Sequence, residues 1–141
     1  MFTTVSVMSW DSYIENLKGQ CAQSADLAVI IGLDGSIWTT PANGSHLAIT
    51  AAEAATIAGV FKSNDFTQFQ ANGVHIGGVK YTYLRVEDDK LVMAKKKDSG
   101  AISMQKSKGA VVIAHVSEGA QQGNVNKGVG VIADYLEGLG Y

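Results

Sequence analysis

The sequence predicts a single-domain α+β fold with a central antiparallel sheet, a helix near each end of the chain and a short internal helix. Amphipathic stretches lie close to both ends, at residues 9–21 and 124–139. Runs of strand length follow one another between residues 80 and 116. Their short connections imply antiparallel pairing, because parallel pairing needs a long crossover. A chain of 141 residues that is 46% hydrophobic is large enough to bury its own core.

The first helix is predicted from apolar residues spaced three and four apart. They form one stripe of Trp10, Tyr13, Ile14, Leu17 and Cys21. Ser9 can cap the first turn, where Asp11 adds favourable negative charge. Ser12 and Glu15 form an alternative capping box, which leaves the start open by about one turn. The two aromatic residues of the stripe combine an apolar ring with a polar group, which suits a partly wet surface.

A buried strand is predicted at residues 27–33, which are apolar and rich in β-branched side chains. Asp34 and Gly35 predict a two-residue turn, and residues 36–40 its partner strand, which ends at Pro41.

The internal helix is predicted to follow a capping box at residues 50–53 and to reach about Phe61. Its core stripe is Ala54, Ile57, Ala58 and Phe61. One further helical turn is predicted within 63–71, and a tight turn at Asn72 and Gly73.

The remaining strands are predicted at residues 80–86, 90–96, 101–105 and 110–116. The last helix is predicted at 124–139. Its stripe contains Val125, Val129, Ile132, Leu136 and Leu139, with Val131 and Tyr135 to one side.

Composition narrows the classes of function. A net charge of −2 gives no overall attraction to nucleic acid, so an anion site requires a local patch. A single cysteine excludes an internal disulfide and fits a reducing compartment. The N-terminus lacks a signal-peptide pattern, and no run approaches the length of a membrane span. We therefore expect a cytoplasmic protein.

Enzyme signals are weak. Gly128, Gly130 and Ala133 match a dinucleotide fingerprint in spacing, but they lie inside a predicted helix rather than after a strand. His46, His75 and His115 are far apart and show no metal-ligand spacing. We expect no catalytic residues, no cofactor and no metal.

Several short motifs occur in an order that resembles the profilin family. Met8-Ser9-Trp10 opens the first helix, and Ala133-Asp134-Tyr135-Leu136 with Tyr141 closes the chain. Between them lie Asn72-Gly73, Gly77-Gly78-x-Lys80-Tyr81, Lys95-Lys96-Lys97 and Asn126-Lys127. The resemblance spans residues 8–141 and leaves 1–7 as an N-terminal extension. It implies that both terminal helices pack on one face of the sheet, with the internal helix elsewhere.

The resemblance implies a site for proline-rich segments. Polyproline II helices are already extended and lose little entropy when they dock on aromatic faces. Indole N–H and phenol O–H groups would bond their carbonyls. The matching residues are Trp10, Tyr13, Trp38, Tyr135 and Tyr141. Some relatives carry histidine at position 135, so we expect less pH dependence here. The alternative is five unrelated core or boundary aromatic residues.

The resemblance also implies a face that binds monomeric actin. The matching residues are Lys80, Tyr83, Arg85, Lys96, Gly123, Asn126 and Lys127. Lys127 is predicted near a helix N-terminus, where the helix dipole favours an anionic partner. Gln121 and Gln122 depart from the family pattern and affect the detail of this contact. The alternative is a solvated strand edge whose lysines oppose aggregation.

Phosphoinositide headgroups are a further implied partner, through charge attraction alone. The lysines involved are Lys95, Lys96, Lys97, Lys106 and Lys127. The 95–97 cluster is shorter than a typical polybasic lipid signal.

The sequence therefore predicts a monomeric, cytoskeleton-associated adaptor that binds actin and proline-rich ligands and promotes nucleotide exchange on actin. Two other classes remain open. A trafficking or signalling scaffold would share the layout without binding proline-rich segments. A small hydrolase or nucleotide-binding enzyme would need a polar constellation that the sequence does not supply.

Overall fold

The computed structural model describes residues 10–20, 24–39 and 45–141. Within these ranges the chain forms helices and strands in the order α1 (Trp10–Gln20), β1 (Ala25–Gly32), α2 (Ala51–Ser63), α3 (Thr67–Asn72), β2 (Val74–Ile76), β3 (Val79–Glu87), β4 (Leu91–Lys96), β5 (Gly100–Lys106), β6 (Ala110–Val116) and α4 (Gln122–Gly138). The predicted extension 1–7, the expected cap Ser9, Cys21 and Pro41 lie outside the described residues.

The strands form one sheet in the order β1-β6-β5-β4-β3-β2, and each neighbouring pair is antiparallel. Short turns place β2 to β6 side by side in chain order. The long connection after β1 carries α2 and α3, so β1 pairs instead with β6, from Ala25 opposite Val116 to Gly32 opposite Ala110. This confirms the predicted antiparallel sheet.

Both faces of the sheet are buried, and the strands alternate between two cores. On β1, Ala28 and Ile30 face one core while Val29 and Ile31 face the other. The first core is covered by α1 and α4. It contains Tyr13, Ile14, Leu17, Val125, Val129, Ile132 and Leu136. The terminal helices therefore share one face, as expected.

The second core is covered by α2 and α3. The predicted stripe of α2 is buried in full, and Phe61 packs with Phe66 and Phe69 at ring-centroid distances of 5.7 and 6.4 Å. The predicted extra turn is helix α3, which brings Phe69 onto the sheet.

The predicted partner strand at 36–40 is wrong as a regular strand. Within the described residues, Ile37 makes a single bridge to Ile31, and β6 is the full-length partner of β1. The backbone N–H of Gly32 donates to Ser36 O, and that of Gly35 to Gly32 O. Residues 32–36 thus close a turn, and in the described residues the pairing beyond it is limited to the Ile37 bridge and to the Trp38 N–H, which donates to Ile30 O at 2.9 Å.

The ends of the predicted helices shift by a few residues. Helix α1 is described from Trp10 to Gln20. Helix α4 runs from Gln122 to Gly138, so Leu139 falls at its C-cap and is 52% exposed. Its placement in the core stripe was wrong, because the helix ends before it. The described helices include none long and apolar enough to cross a membrane.

A capping box starts α2 as predicted. The Thr50 hydroxyl accepts the Glu53 N–H at 3.1 Å, and Glu53 Oε1 accepts the Thr50 N–H at 3.0 Å. The same carboxylate accepts the N–H of Gly77 at 2.8 Å and of Gly78 at 3.0 Å. Glu53 therefore joins the start of α2 to the β2–β3 turn.

These hydrogen bonds set the charge state of Glu53. Burial alone would raise the pKa of this carboxyl, but the N–H groups of Thr50, Gly78 and Gly77 stabilise the anion and lower the pKa overall. A lowered pKa means that ionised Glu53 favours the folded state.

We predict that Glu53→Gln lowers the free energy of unfolding by about 1–2 kcal/mol at pH 7, because charge-assisted bonds become neutral ones. This difference in the free energy of unfolding should have its full size above the ordinary glutamate pKa of about 4.3. It should shrink as the pH falls through the lowered pKa of Glu53 in the folded state. Urea unfolding at pH 7 and pH 3 measures it. Glu15→Gln, an exposed control on α1, should change stability by less than about 0.5 kcal/mol at either pH. An equal Glu53→Gln effect at both pH values would contradict the prediction.

Candidate functional site

Aromatic rings from the two ends of the chain meet where α1 packs on α4. The ring centroids of Tyr13 and Tyr135 are 6.0 Å apart with planes tilted by 48°. Tyr13 is 6% exposed and forms a floor, whereas Tyr135 is 53% exposed. The pKa of Tyr13 is raised mainly by burial, and to a smaller extent by electrostatic interaction with the nearby Tyr135 and Tyr141. These tyrosines therefore share one surface.

A second pair extends this surface. Trp38 and Tyr141 lie edge to face, with centroids 6.0 Å apart and planes at 74°. Tyr141 is held by its backbone N–H, which donates to Leu136 O at 2.9 Å beyond the end of α4. The aromatic surface is defined here as Tyr13, Trp38, Tyr135 and Tyr141. Trp10 opens α1, but its side chain lies outside the described residues.

The indole of Trp38 is oriented by the turn after β1. Its Nε1–H donates to Ser36 Oγ at 2.9 Å, and the Ser36 hydroxyl donates to Asp34 Oδ1 at 2.5 Å. The Ser36 hydrogen bonds lower the pKa of the Asp34 carboxyl. The sequence suggested that indole N–H groups bond a ligand, but this one is bonded within the chain. Trp38 thus presents its ring more readily than its N–H.

Gly32 makes room for this arrangement. A Cβ at Gly32 would lie 2.6 Å from Asp34 Oδ1 and 2.9 Å from both Ser36 Oγ and Trp38 Nε1. Atoms at those distances must shift, so a glycine is required for the observed orientation of Trp38.

The predicted actin residues fall into groups. Arg85 on β3 lies opposite Met93 on β4, and the Met93 sulfur accepts a hydrogen bond from Asn126 of α4 at 3.3 Å. The exposed Lys127 follows directly. Arg85, Met93, Asn126 and Lys127 therefore form a continuous line across β3, β4 and the start of α4.

Other members of that set lie elsewhere. Tyr83 packs against Phe69 with ring centroids 6.2 Å apart, on the side of the sheet covered by α2 and α3. Lys80 is exposed at the start of β3, and Lys96 is exposed at the end of β4. Gly123 is exposed in the first turn of α4. Arg85 also forms a 3.0 Å ion pair with Glu87.

The lysines assigned to phosphoinositides do not all come together. Lys95, Lys96 and Lys97 are exposed at the β4–β5 turn. Lys106 lies at the far end of β5 from Ala101, the partner of Lys95, about 16 Å along the strand. Lys95 instead approaches the start of α4, where it lines a cleft of about 190 Å³ with Gln122.

His115 holds the β4–β5 turn that carries these lysines. Its Nδ1 lies 2.6 Å from Asp26 Oδ1, and its Nε2 lies 2.6 Å from Ser99 O. Glu118 accepts the Gly100 N–H at 2.8 Å on the same turn. A protonated imidazole can donate to both acceptors of His115 at once. The sequence showed His115 only as a boundary histidine, because Asp26 and Ser99 are distant in the chain.

Leu84 was missed by the sequence analysis. It lies in β3 between Tyr83 and Arg85, where the register with β4 shifts, and it is 49% exposed. The in–out alternation of side chains along a strand is interrupted at a bulge. The sequence pattern therefore could not tell which side of the sheet Leu84 faces. It adds an apolar group beside Arg85.

The described residues offer little for metal chemistry. In residues 10–20, 24–39 and 45–141, no three His, Cys, Asp or Glu side chains cluster as metal ligands would. Gly128, Gly130 and Ala133, which match a dinucleotide fingerprint in spacing, lie within α4.

Comparison with known proteins agrees with this architecture. The family model described as Profilin matches residues 8–141. A profilin of Clypeaster japonicus is 57% identical over 139 residues, which cover 94% of this chain and 99% of that protein. The crystal structure of Acanthamoeba castellanii profilin II matches with a TM-score of 0.79 at 34% identity, over 94% of this chain and 100% of that one.

Two solved complexes share the fold at lower identity. One is mouse profilin IIa with a double repeat from the FH1 domain of mDia1, at a TM-score of 0.72 and 24% identity, covering 94% of this chain and 99% of that one. The other is a complex of LokiProfilin2 with rabbit actin, at a TM-score of 0.72 and 20% identity, covering 94% of this chain and 98% of that one.

The sheet, the terminal helices on one face and the rings between them define a small α+β domain whose ends meet at an aromatic surface. With the family match over most of its length, the chain belongs to the profilin family.

We predict that Gly32→Ala displaces Ser36 and frees the Trp38 indole to move, because the added Cβ occupies their space. The fluorescence emission of tryptophan should shift to the red. The near-ultraviolet circular dichroism signal of the protein should become weaker. Gly59→Ala, where a Cβ meets nothing within 4 Å, is the matched control and should leave both signals unchanged. Identical spectra for Gly32→Ala and wild type would contradict this account of Trp38.

Proposed function

We propose that this protein is an adaptor that binds monomeric actin on one surface and proline-rich segments on another, and so regulates actin polymerisation. The meeting of aromatic rings from both chain ends at the surface is the observation that carries the proposal. Membership of the profilin family, a non-enzymatic actin-binding family, supports it. Two structural relatives support it further, one in complex with an FH1 repeat and the other with actin.

The proline-rich ligand is assigned to Trp10 and the aromatic surface. A polyproline II segment presents a ridge of rings and carbonyls and docks in a groove lined by aromatic side chains with nearby donors. Tyr135 and Tyr141 supply exposed phenols above the floor formed by Tyr13. Because the Trp38 N–H is bonded to Ser36, the ligand carbonyls would be met mainly by the other donors.

Actin is assigned to the line formed by Arg85, Met93, Asn126 and Lys127, with Gly123 beside it. Leu84 gives this surface an apolar group among positive charges, a combination typical of protein interfaces. Lys80, Tyr83 and Lys96 extend the assignment along β3 and β4. Positive charge here would speed the encounter with an acidic partner.

The two surfaces lie on different parts of α4, so both partners can bind together. Lys127 is in the second turn of α4 and Tyr135 is in the fourth. Nucleotide exchange on actin would follow if binding shifts the conformational population of actin, which requires no catalytic group in this chain. The protein would act as a monomer, and its family agrees with a cytoplasmic, actin-associated location.

Phosphoinositide binding is a second candidate, favoured by the exposed Lys95, Lys96 and Lys97 beside the start of α4. Anionic headgroups would meet these lysines and Lys127 by charge attraction. Lys106 would contribute little, because it lies at the other end of β5.

We predict that polyproline causes a saturable change in tryptophan emission, because Trp10 and Trp38 lie in the assigned site. Trp10→Ala should abolish binding and leave actin affinity within about twofold. Tyr135→Ser, at an exposed position, should weaken polyproline binding about tenfold or more, the usual effect of removing an aromatic anchor. Leu84→Ser is the control of similar exposure and should bind polyproline normally. Equal loss of both ligands in Trp10→Ala would indicate a failed fold instead.

Charge reversal tests the actin face. Lys127→Glu should weaken actin binding about tenfold at low salt and spare polyproline, and the effect should shrink as salt rises. Sedimentation or fluorescence binding to monomeric actin measures it. Lys62→Glu is the matched control, because Lys62 is exposed on α2. Unchanged actin affinity of Lys127→Glu at low salt would place the actin face elsewhere.

A further inference from the structure

The start of α4 is not stabilised in the usual way. Among the described residues, the N-cap Gln121 makes no side-chain capping bond, and the first turn contains no acidic residue. Helix starts normally rely on such groups to satisfy their free N–H donors. The position of this turn must therefore be fixed by other contacts.

Amide side chains supply those contacts. Gln122 Nε2 donates to Ile102 O at 3.1 Å and approaches Ser103 Oγ at 3.4 Å. Asn124 Nδ2 donates to Ser24 Oγ at 3.3 Å. Alternate residues of the first turns thus tie α4 to β5 and to the residue before β1.

Ser103 lies at the centre of these contacts. Its side chain is 0% exposed in β5, and its hydroxyl donates to Asn126 Oδ1 at 2.5 Å. The Asn126 amide in turn donates to the Met93 sulfur. A buried hydroxyl is unfavourable unless it is hydrogen-bonded, and here its partners all belong to α4. Ser103 is therefore satisfied only when the start of α4 sits at this one position.

We propose that Ser103, Gln122 and Asn126 form a buried joint that positions the first turn of α4 for actin binding. The joint also holds Asn126 of the actin surface in place, because its amide oxygen accepts from Ser103 and its amide nitrogen donates to Met93. Ser103 is therefore a positioning residue. The proposal rests on the proposed actin-binding function.

The joint acts locally. Asn126 and Tyr135 are nine residues apart on α4, about 13 Å along the axis. Between them Val129, Ile132 and Ala133 are buried against the sheet and hold the rest of the helix. Loosening the first turn therefore changes the surface around Gly123 and Lys127 and leaves the aromatic surface in place.

Ser103→Ala tests the joint against a matched control. Ser107→Ala removes another buried hydroxyl near the same strand, bonded to Ala110 and not to α4. We expect Ser103→Ala to weaken actin binding about fivefold and Ser107→Ala to change it less than twofold. Polyproline affinity should be unchanged in both variants. A general loss of stability would instead affect both variants, or both ligands, alike.

Amide hydrogen exchange provides a readout that does not depend on actin. Residues 123–126 should exchange at least about tenfold faster in Ser103→Ala than in wild type, with residues 132–136 unchanged. If residues 123–126 exchange at the same rate in Ser103→Ala and in wild type, the proposed joint is wrong. Faster exchange with unchanged actin affinity overturns the positioning role and leaves the proposed function intact. If wild type fails to bind actin, the proposed function fails and the positioning role with it.

Gln122→Ala is a second test of the joint, to be used if Ser103→Ala does not fold. Gln122 is only partly buried, so its truncation creates no core cavity, and it removes the bonds to Ile102 and Ser103. The same faster exchange at 123–126 is expected, and its absence would overturn the joint.

Discussion

The packing of α1 against α4 on one face of the sheet is the constraint on which the rest of this structure depends. Ile14 and Leu17 of α1 share a core with Val125 and Val129 of α4. Burying these side chains removes apolar surface from water and fixes both helices side by side. Only because the helices are fixed in this way do Tyr13 and Tyr135 come within ring contact. The aromatic surface is thus a consequence of core packing.

Polar contacts of long sequence separation then position the edges of this core. Glu53 joins α2 to the β2–β3 turn, His115 joins β6 to β1 and the β4–β5 turn, and Ser103 joins β5 to α4. Each of these side chains makes directional hydrogen bonds, whereas a hydrophobic contact has no preferred direction. Hydrogen bonds have strict geometry, so they specify where turns and helix ends lie more closely than apolar packing does. The proposed binding surfaces are built at these edges.

Much of the fold could be predicted because its signals are local. The capping box at Thr50 and Glu53 and the stripe of α2 follow from neighbouring residues, and both are found as predicted. Within the described residues the strand predicted at 36–40 is reduced to one antiparallel bridge to β1, because the local turn chemistry of Asp34 and Ser36 competes with strand pairing. Leu139 was misplaced because a periodic stripe does not reveal where a helix ends. The site residues remain predictions, although the structure brings most of the aromatic set together.

The sequence by itself determined the antiparallel sheet, the helix positions and the aromatic residues near both ends, since periodicity and short turns depend only on neighbours along the chain. Only the tertiary structure decided that β1 pairs with β6, that Tyr83 and Arg85 occupy different surroundings, and that Ser103 meets Asn126. Those contacts join residues far apart in the chain. Their geometry is set by how two cores fill on opposite faces of one sheet, which no local pattern encodes.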